Sequence, residues 1–212
     1  MDEPALEFEK AIIAIDSIRA NNLIQNYHKD FGVTAAIENI VLPVMEKMGI
    51  DWEKGNIALS QIYMGGKICE ESVNLILPPA DPLRKSNPRM AILTYNDYHM
   101  LGKRIVYTML RATGYELIDY GRVDDEHDLI NMIKKDKVEV LLISVLMLNS
   151  AKGIKKVTDL IKKEDLDTRV IVGGAPFRFD RNLCSEIGAF AMVNHAGEIV
   201  GKITEILEVN HA

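Results

Sequence analysis

Cysteine is scarce. The 212 residues contain two, Cys69 and Cys184, far apart and without metal-type spacing, so neither a disulfide framework nor a zinc site is suggested and both read as buried thiols. No apolar run approaches the ~20 residues of a membrane helix, and the amino terminus, Met1-Asp2-Glu3-Pro4, is acidic where a signal peptide would be basic. The chain therefore reads as cytoplasmic, with no membrane partner. It also lacks a basic stripe: 25 scattered Lys and Arg stand against 31 Asp and Glu, for a net charge of −6, which argues against a nucleic-acid partner. Internal repeats and low-complexity tracts are missing. What is left is an ordinary globular composition, long enough for one sizeable domain or two small ones.

The hydrophobic pattern changes period part-way along. Up to Leu77 it is helical. A first stripe runs through Phe8, Ile12, Ile15 and Arg19, and a second helix spans about Asn22 to Asp30, ended by Gly32. A third starts near Thr34, is bent by Pro43 and ends at Gly49, and a fourth spans Ala58 to Leu77. Four such helices predict a small bundle over residues 1–80. Gly65-Gly66 inside the fourth implies that something packs very close to that backbone, since glycine there costs about 1 kcal/mol relative to alanine. The segment from Pro78 to Pro88 is proline-rich and reads as a stiff linker, 81–88, between domains.

From residue 89 to 212 strands alternate with helices. Short β-branched runs at Met90–Thr94, Tyr115–Asp119, Val138–Ile143, Arg169–Val172 and Ala189–Val193, with helices near Lys103, Glu126, Ala151, Arg181 and Gly197, predict an α/β domain. The expected architecture is a flavodoxin- or Rossmann-like, doubly wound, five-stranded parallel sheet. In such a sheet the loops at the carboxyl ends of the strands face the ligand. Asp97-Tyr98-His99-Met100-Leu101-Gly102 is the first of these loops. An imidazole can bind a metal through one nitrogen when the other is held, and Asp97, two residues away, is a suitable holder. Ser144-Val145-Leu146, with Ser150 beyond, and Gly173-Gly174 end two further strands on the same rim, where glycine lets a large flat ligand approach the backbone.

With their spacing, Asp97-x-His99-x-x-Gly102, Ser144-x-Leu146 and Gly173-Gly174 resemble the cobalamin-binding domains of the base-off, His-on kind. Leu42-Pro43-Val44-Met45-Glu46-Lys47-Met48-Gly49 and Trp52-Glu53-Lys54-Gly55 are similar to the helical cap preceding that domain in methionine synthase and in the corrinoid proteins of methyltransferase systems. The resemblance spans nearly the whole chain. It implies a cobalamin cofactor with His99 as cobalt's lower axial ligand, Asp97 on the other ring nitrogen, and Ser150 completing a His-Asp-Ser relay. It further implies that Ser144, Leu146, Gly173 and Gly174 line the slot for the displaced nucleotide tail and that Gly102 lets the loop pass close to the corrin ring. The helix bearing Gly65-Gly66 would be the cap's contact with the cofactor. Met100, Leu148, Phe190, Met192 and His195 depart from the usual residue types at pocket positions. The implied function is a non-catalytic methyl carrier. Its implied partners are a donor-specific methyltransferase such as an O-demethylase, an acceptor methyltransferase of the tetrahydrofolate type, and a reductive activase. A cobalamin-responsive sensor module is the alternative.

Overall fold

The computed structural model describes residues 2–78, 88–194 and 198–209, so His195 and most of the proline-rich stretch lie outside the described residues. The chain divides into two compact units, Met1–Ala80 and Asp81–Ala212.

The first unit holds α1 (Glu3–Ile13), α2 (Ser17–Ala36), α3 (Leu42–Glu53) and α4 (Leu59–Leu75). Phe8 and Ile12 are buried as expected, but Ile15 does not extend the stripe: α1 stops, and Ile15 takes a left-handed backbone (φ 57) with its side chain exposed. Asp16 stops it by capping the next helix, accepting a 3.0 Å bond from the Arg19 N–H. Gly32, expected as a terminus, is instead a kink inside α2 (φ 83). Gly49 lies within α3, which runs on to Glu53. Pro43 stands in the first turn of α3, and a π-helical turn, Ile37–Val41, immediately precedes that helix. Proline has no N–H for the carbonyl four residues back, and a wider turn accommodates the loss. A Cβ on Gly65 would come within 2.5 Å of Met48 Cε and 2.7 Å of Ile12 Cγ2, whereas one on Gly66 would meet nothing within 4 Å. Gly65 therefore serves the packing of α4 on α1 and α3. Cys69, four residues further along α4, is buried, and burial pushes its thiol pKa up to about 12, so it is inert.

In the second unit β1 (Met90–Tyr95), β2 (Ile118–Val123), β3 (Val140–Ser144), β4 (Arg169–Gly173) and β5 (Ala191–Val193) form one parallel sheet in the order β2-β1-β3-β4-β5, the flavodoxin-like order. The second strand begins three residues later than the apolar letters suggest. Tyr115 and Leu117 are buried in the short connection that precedes it, while the strand itself uses Asp119-Tyr120-Gly121-Arg122 and pairs on one side only, at the sheet's edge. The helices are α5 (Leu101–Ala112), α6 (Glu126–Asp136), α7 (Leu148–Lys163), α8 (Ala175–Phe179), α9 (Leu183–Glu186) and α10 (Glu198–Val209). The single helix expected near Arg181 is thus the short pair α8 and α9.

Alternation along the strands sorts the two faces. Ala91, Leu93, Tyr95, Leu141, Ile143, Val170 and Val172 join one apolar cluster with residues of α6, α7, α8 and α9. The intervening Met90, Ile92, Leu142 and Ile171 are equally buried and belong to the opposite face, under α5 and α10. The amino end of α5 is tied to the sheet edge: the fully buried Lys103 pairs with Asp119, and Arg104 Nη1 bonds the same carboxylate at 3.2 Å. Among the described residues no helix is long and apolar enough to cross a membrane.

Candidate metal-ligand site at the carboxyl rim of the sheet

The rim is built by three turns. After β1 the chain reverses at Asn96, whose left-handed backbone (φ 45) suits asparagine, and its N–H bonds the Val123 carbonyl at 2.9 Å. That reversal sends the Asp97 side chain inward, where it is fully buried, and leaves the His99 ring 45% exposed. Asp97 Oδ1 accepts the His99 backbone N–H at 3.0 Å and faces ring Nδ1 at 2.6 Å. Its Oδ2 accepts the backbone N–H groups of Leu146 and Met147, at 2.7 and 2.9 Å. Burial pushes the carboxyl's pKa upward, but the Met147, His99 and Leu146 donors outweigh it, and the group sits below the ordinary carboxylate range.

A carboxylate only accepts, so Nδ1 carries a proton, and in the neutral ring this leaves the lone pair on Nε2. Nε2 has no partner among the described residues. Nor does any group of three or more His, Cys, Asp or Glu side chains gather there in a way that could hold a bare ion. A single presented imidazole suits a metal that arrives with its other ligands already in place.

The resemblance implies that Ser150 continues this chain of bonds, but its hydroxyl makes no hydrogen bond to Asp97. Its hydroxyl donates to the Asn96 carbonyl at 2.6 Å, and its one proton is thereby used. Ser150 braces the turn that carries Asp97, while both carboxylate oxygens are occupied by other donors. Gly102, at the start of α5, is required by protein packing: a Cβ there would lie 2.6 Å from Ser144 Oγ. Gly174 (φ +121) lies directly against the backbone of Val145, and Gly173 against Val193 Cγ2, 3.2 Å from where a Cβ would stand. Leu146, Met147 and Leu148 are exposed apolar side chains in succession, 46, 53 and 49% accessible, and Tyr98 is 73% accessible with the Arg122 guanidinium 3.5 Å from its ring centre. Met100 is the residue before α5 and makes no side-chain cap bond.

The remaining departures fall elsewhere. Met192 packs into the α6–α9 cluster, and Phe190 lies under Arg169 at the amino end of β4, beside a surface cavity of about 420 Å³. Neither belongs to this rim. Two contributors escape sequence reading. The backbone N–H groups of Leu146 and Met147 have no letter of their own. Thr94, a hydroxyl in an otherwise apolar strand, could have been noticed.

Residues 90–203 match the B12-binding domain family, and residues 6–77 match a second B12 binding domain model. The chain belongs to the B12-binding family. It is similar to dimethylamine corrinoid protein 3 of Methanosarcina acetivorans, 29% identical over 95% of each chain, and to dimethylamine corrinoid protein 2 of Methanosarcina mazei, 30% identical over 81% of each. Its fold matches the structure of the Methanosarcina barkeri monomethylamine corrinoid protein with a TM-score of 0.81, at 26% identity, covering 94% of this chain and 96% of that one. This B12-binding chain is a corrinoid carrier protein of the methyltransferase type, and its cofactor is a cobalamin-type corrinoid.

The residues present fit that group. A cobalamin-type corrinoid would bring the metal's other ligands with it, and His99 Nε2 would hold the metal from the protein side. The accessible apolar run after β3 offers surface for a large, flat partner, and the buried Thr94 hydroxyl has no partner among the described residues.

Asp97→Asn tests how the imidazole is held. The two N–H groups of Leu146 and Met147 demand an acceptor, so the amide oxygen must take that side and the amide nitrogen must face the ring. Nδ1 then accepts, Nε2 carries the proton, and the lone pair is lost. Corrinoid affinity should fall about 10- to 100-fold, while stability in urea falls by only about 1–2 kcal/mol, from the His99 N–H left facing a donor.

Proposed function

We propose that this protein presents a cobalamin-type corrinoid on His99 and carries methyl groups from a methylamine-specific methyltransferase to an acceptor methyltransferase. The observation that supports it is the Asp97–His99 pair, with Nδ1 held at 2.6 Å and Nε2 free. When bound, the corrinoid supplies a cobalt centre that alternately accepts and releases a methyl group. The chain's own part is to hold and orient. Asp97 fixes the ring's tautomer and angle through three backbone anchors and the ring bond, and Ser150 steadies the turn from Asn96. Leu146, Met147 and Leu148 would exclude water beside the metal, and Ser144, Gly173 and Gly174 would border the tail of the cofactor.

The donor is where the resemblance read from sequence and the relatives differ in emphasis. The family resemblance leans to an O-demethylase partner, whereas the relatives are named as dimethylamine and monomethylamine corrinoid proteins and are matched over most of their length. A methylamine donor is the better supported choice. The acceptor of the tetrahydrofolate type and the reductive activase rest on the family resemblance.

The test is transfer of label. Reduced, reconstituted protein is incubated with dimethylamine methyltransferase and methyl-labelled dimethylamine, then re-isolated. Label should remain on the protein in an amount close to its corrinoid content. Label acquired only from a methoxylated aromatic, with an O-demethylase supplied, would overturn the methylamine assignment.

A further inference from the structure

The helix that follows the His99 loop starts its buried stripe on a charge. Lys103, Tyr107 and Leu110 share one buried face of α5, and Lys103 has no exposed surface at all. An ammonium group taken out of water is costly, and an apolar residue at the head of the stripe would pack there without that cost. Lys103 instead reaches Asp119 of β2. Asp119 pairs in register with Ile92, on the face under α5, where the β1–β2 register slips and Gly121 comes to lie opposite Leu93. Its Oδ1 also accepts the Gly121 N–H at 2.8 Å, and its Oδ2 accepts Arg104 Nη1 at 3.2 Å. The carboxylate is thus fixed by its own strand as well as by the two cations of α5.

The loop between β1 and α5 is fastened at both ends. At the strand end, Asn96 is held by the Val123 carbonyl and by Ser150. At the helix end, the Arg104 N–H closes the first turn on the Met100 carbonyl at 3.0 Å, and Lys103 and Arg104 tie that turn to Asp119. Apolar contact is non-directional and would let the helix start slide over the sheet. A buried ion pair is satisfied at one position only. Such pairs can often be replaced by apolar residues without loss of stability, and fixing register is their best-attested use.

We infer that Lys103 and Asp119 are positioning residues for the axial ligand: their pair sets where α5 begins and so holds the helix end of the His99 loop in place for the corrinoid. The inference rests on His99 as the metal ligand and adds a second anchor to the one Asp97 provides.

The experiment compares wild type, Lys103→Met and the double variant Lys103→Met/Asp119→Asn, which removes both charges and keeps an acceptor for the Gly121 N–H. Without cofactor, the double variant should unfold at a urea concentration close to that of wild type. Its Arg104 amide should exchange hydrogen at least tenfold faster, with amides in β1 and β3 unchanged. Affinities for cobalamin and cobinamide, read by spectroscopic titration, should both fall about tenfold, because the loop meets the metal that the two probes share. Lys103→Met alone should show the same loosening and the same losses. Wild-type exchange and wild-type affinities in the double variant would overturn the inference. So would faster exchange spread evenly over β1, β3 and α5 with a lowered urea midpoint, the mark of a pair that supports the whole unit. Wild-type protein that binds neither probe would overturn the corrinoid site itself, an outcome read apart from the exchange comparison, which needs no cofactor.

Discussion

Gly174→Ala is expected to destabilise the sheet unit by about 4 kcal/mol, a large part of the roughly 5–15 kcal/mol by which a domain is folded. Two effects add. At φ +121 and ψ 175 the backbone is in a region that side chains rarely adopt, worth about 1–3 kcal/mol of strain. The new Cβ would also overlap the Val145 carbonyl oxygen and stand 2.9 Å from its carbon and 3.3 Å from its nitrogen. These are backbone atoms, which cannot rotate aside, so a packing penalty of about 1–3 kcal/mol follows. A strain-only control is available in Gly121, which has φ +69 and nothing within 4 Å of its Cβ position; Gly121→Ala should cost about 1 kcal/mol. The functional consequence is local. Val145 leads into Leu146 and Met147, whose N–H groups hold Asp97, so a displaced Val145 loosens the carboxylate and, through it, the imidazole. Urea unfolding followed by circular dichroism, together with corrinoid titration of the folded protein, measures both. A loss no larger than that of Gly121→Ala would contradict the account of this turn.

The architecture was legible because it is written in periodicities. The change from a helical period to short β-branched runs near residue 89 announces a helical part followed by a parallel sheet, and the sheet order β2-β1-β3-β4-β5 agrees with the flavodoxin-like expectation. The misplacements have physical causes. The apolar letters place β2 too early because Tyr115 and Leu117 are buried outside any strand, whereas an edge strand with one partner tolerates Asp119 and Arg122. Ile15 was read as part of a stripe because its spacing fits, yet Asp16 ends that helix to begin the next.

In the site, Asp97 and His99 could be paired from the letters, since two residues across a turn have few places to go. Ser150 was assigned a bond to Asp97 that it makes instead to the Asn96 carbonyl, because hydroxyl partners are chosen by angles that no spacing encodes. Gly102 and Gly65 show the same gap. Each glycine marks a close approach, and the sequence does not say to what: Gly102 meets Ser144, and Gly65 meets Met48 and Ile12.

The central claim is that His99 is the protein's ligand to the corrinoid metal, and His99→Ala tests it with the largest spectroscopic effect expected of any variant. The ring is 45% exposed, and Asp97 keeps the N–H groups of residues 99, 146 and 147 when the ring is removed. The variant should therefore fold, with stability within about 1 kcal/mol of wild type. The measurement is the ultraviolet-visible spectrum of wild-type and His99→Ala protein reconstituted with cobalamin, read against free cobalamin. The account predicts a spectrum of imidazole ligation in the wild type that is lost in the variant, with weaker retention of the cofactor. Cobalamin bound by both proteins with identical spectra would contradict it.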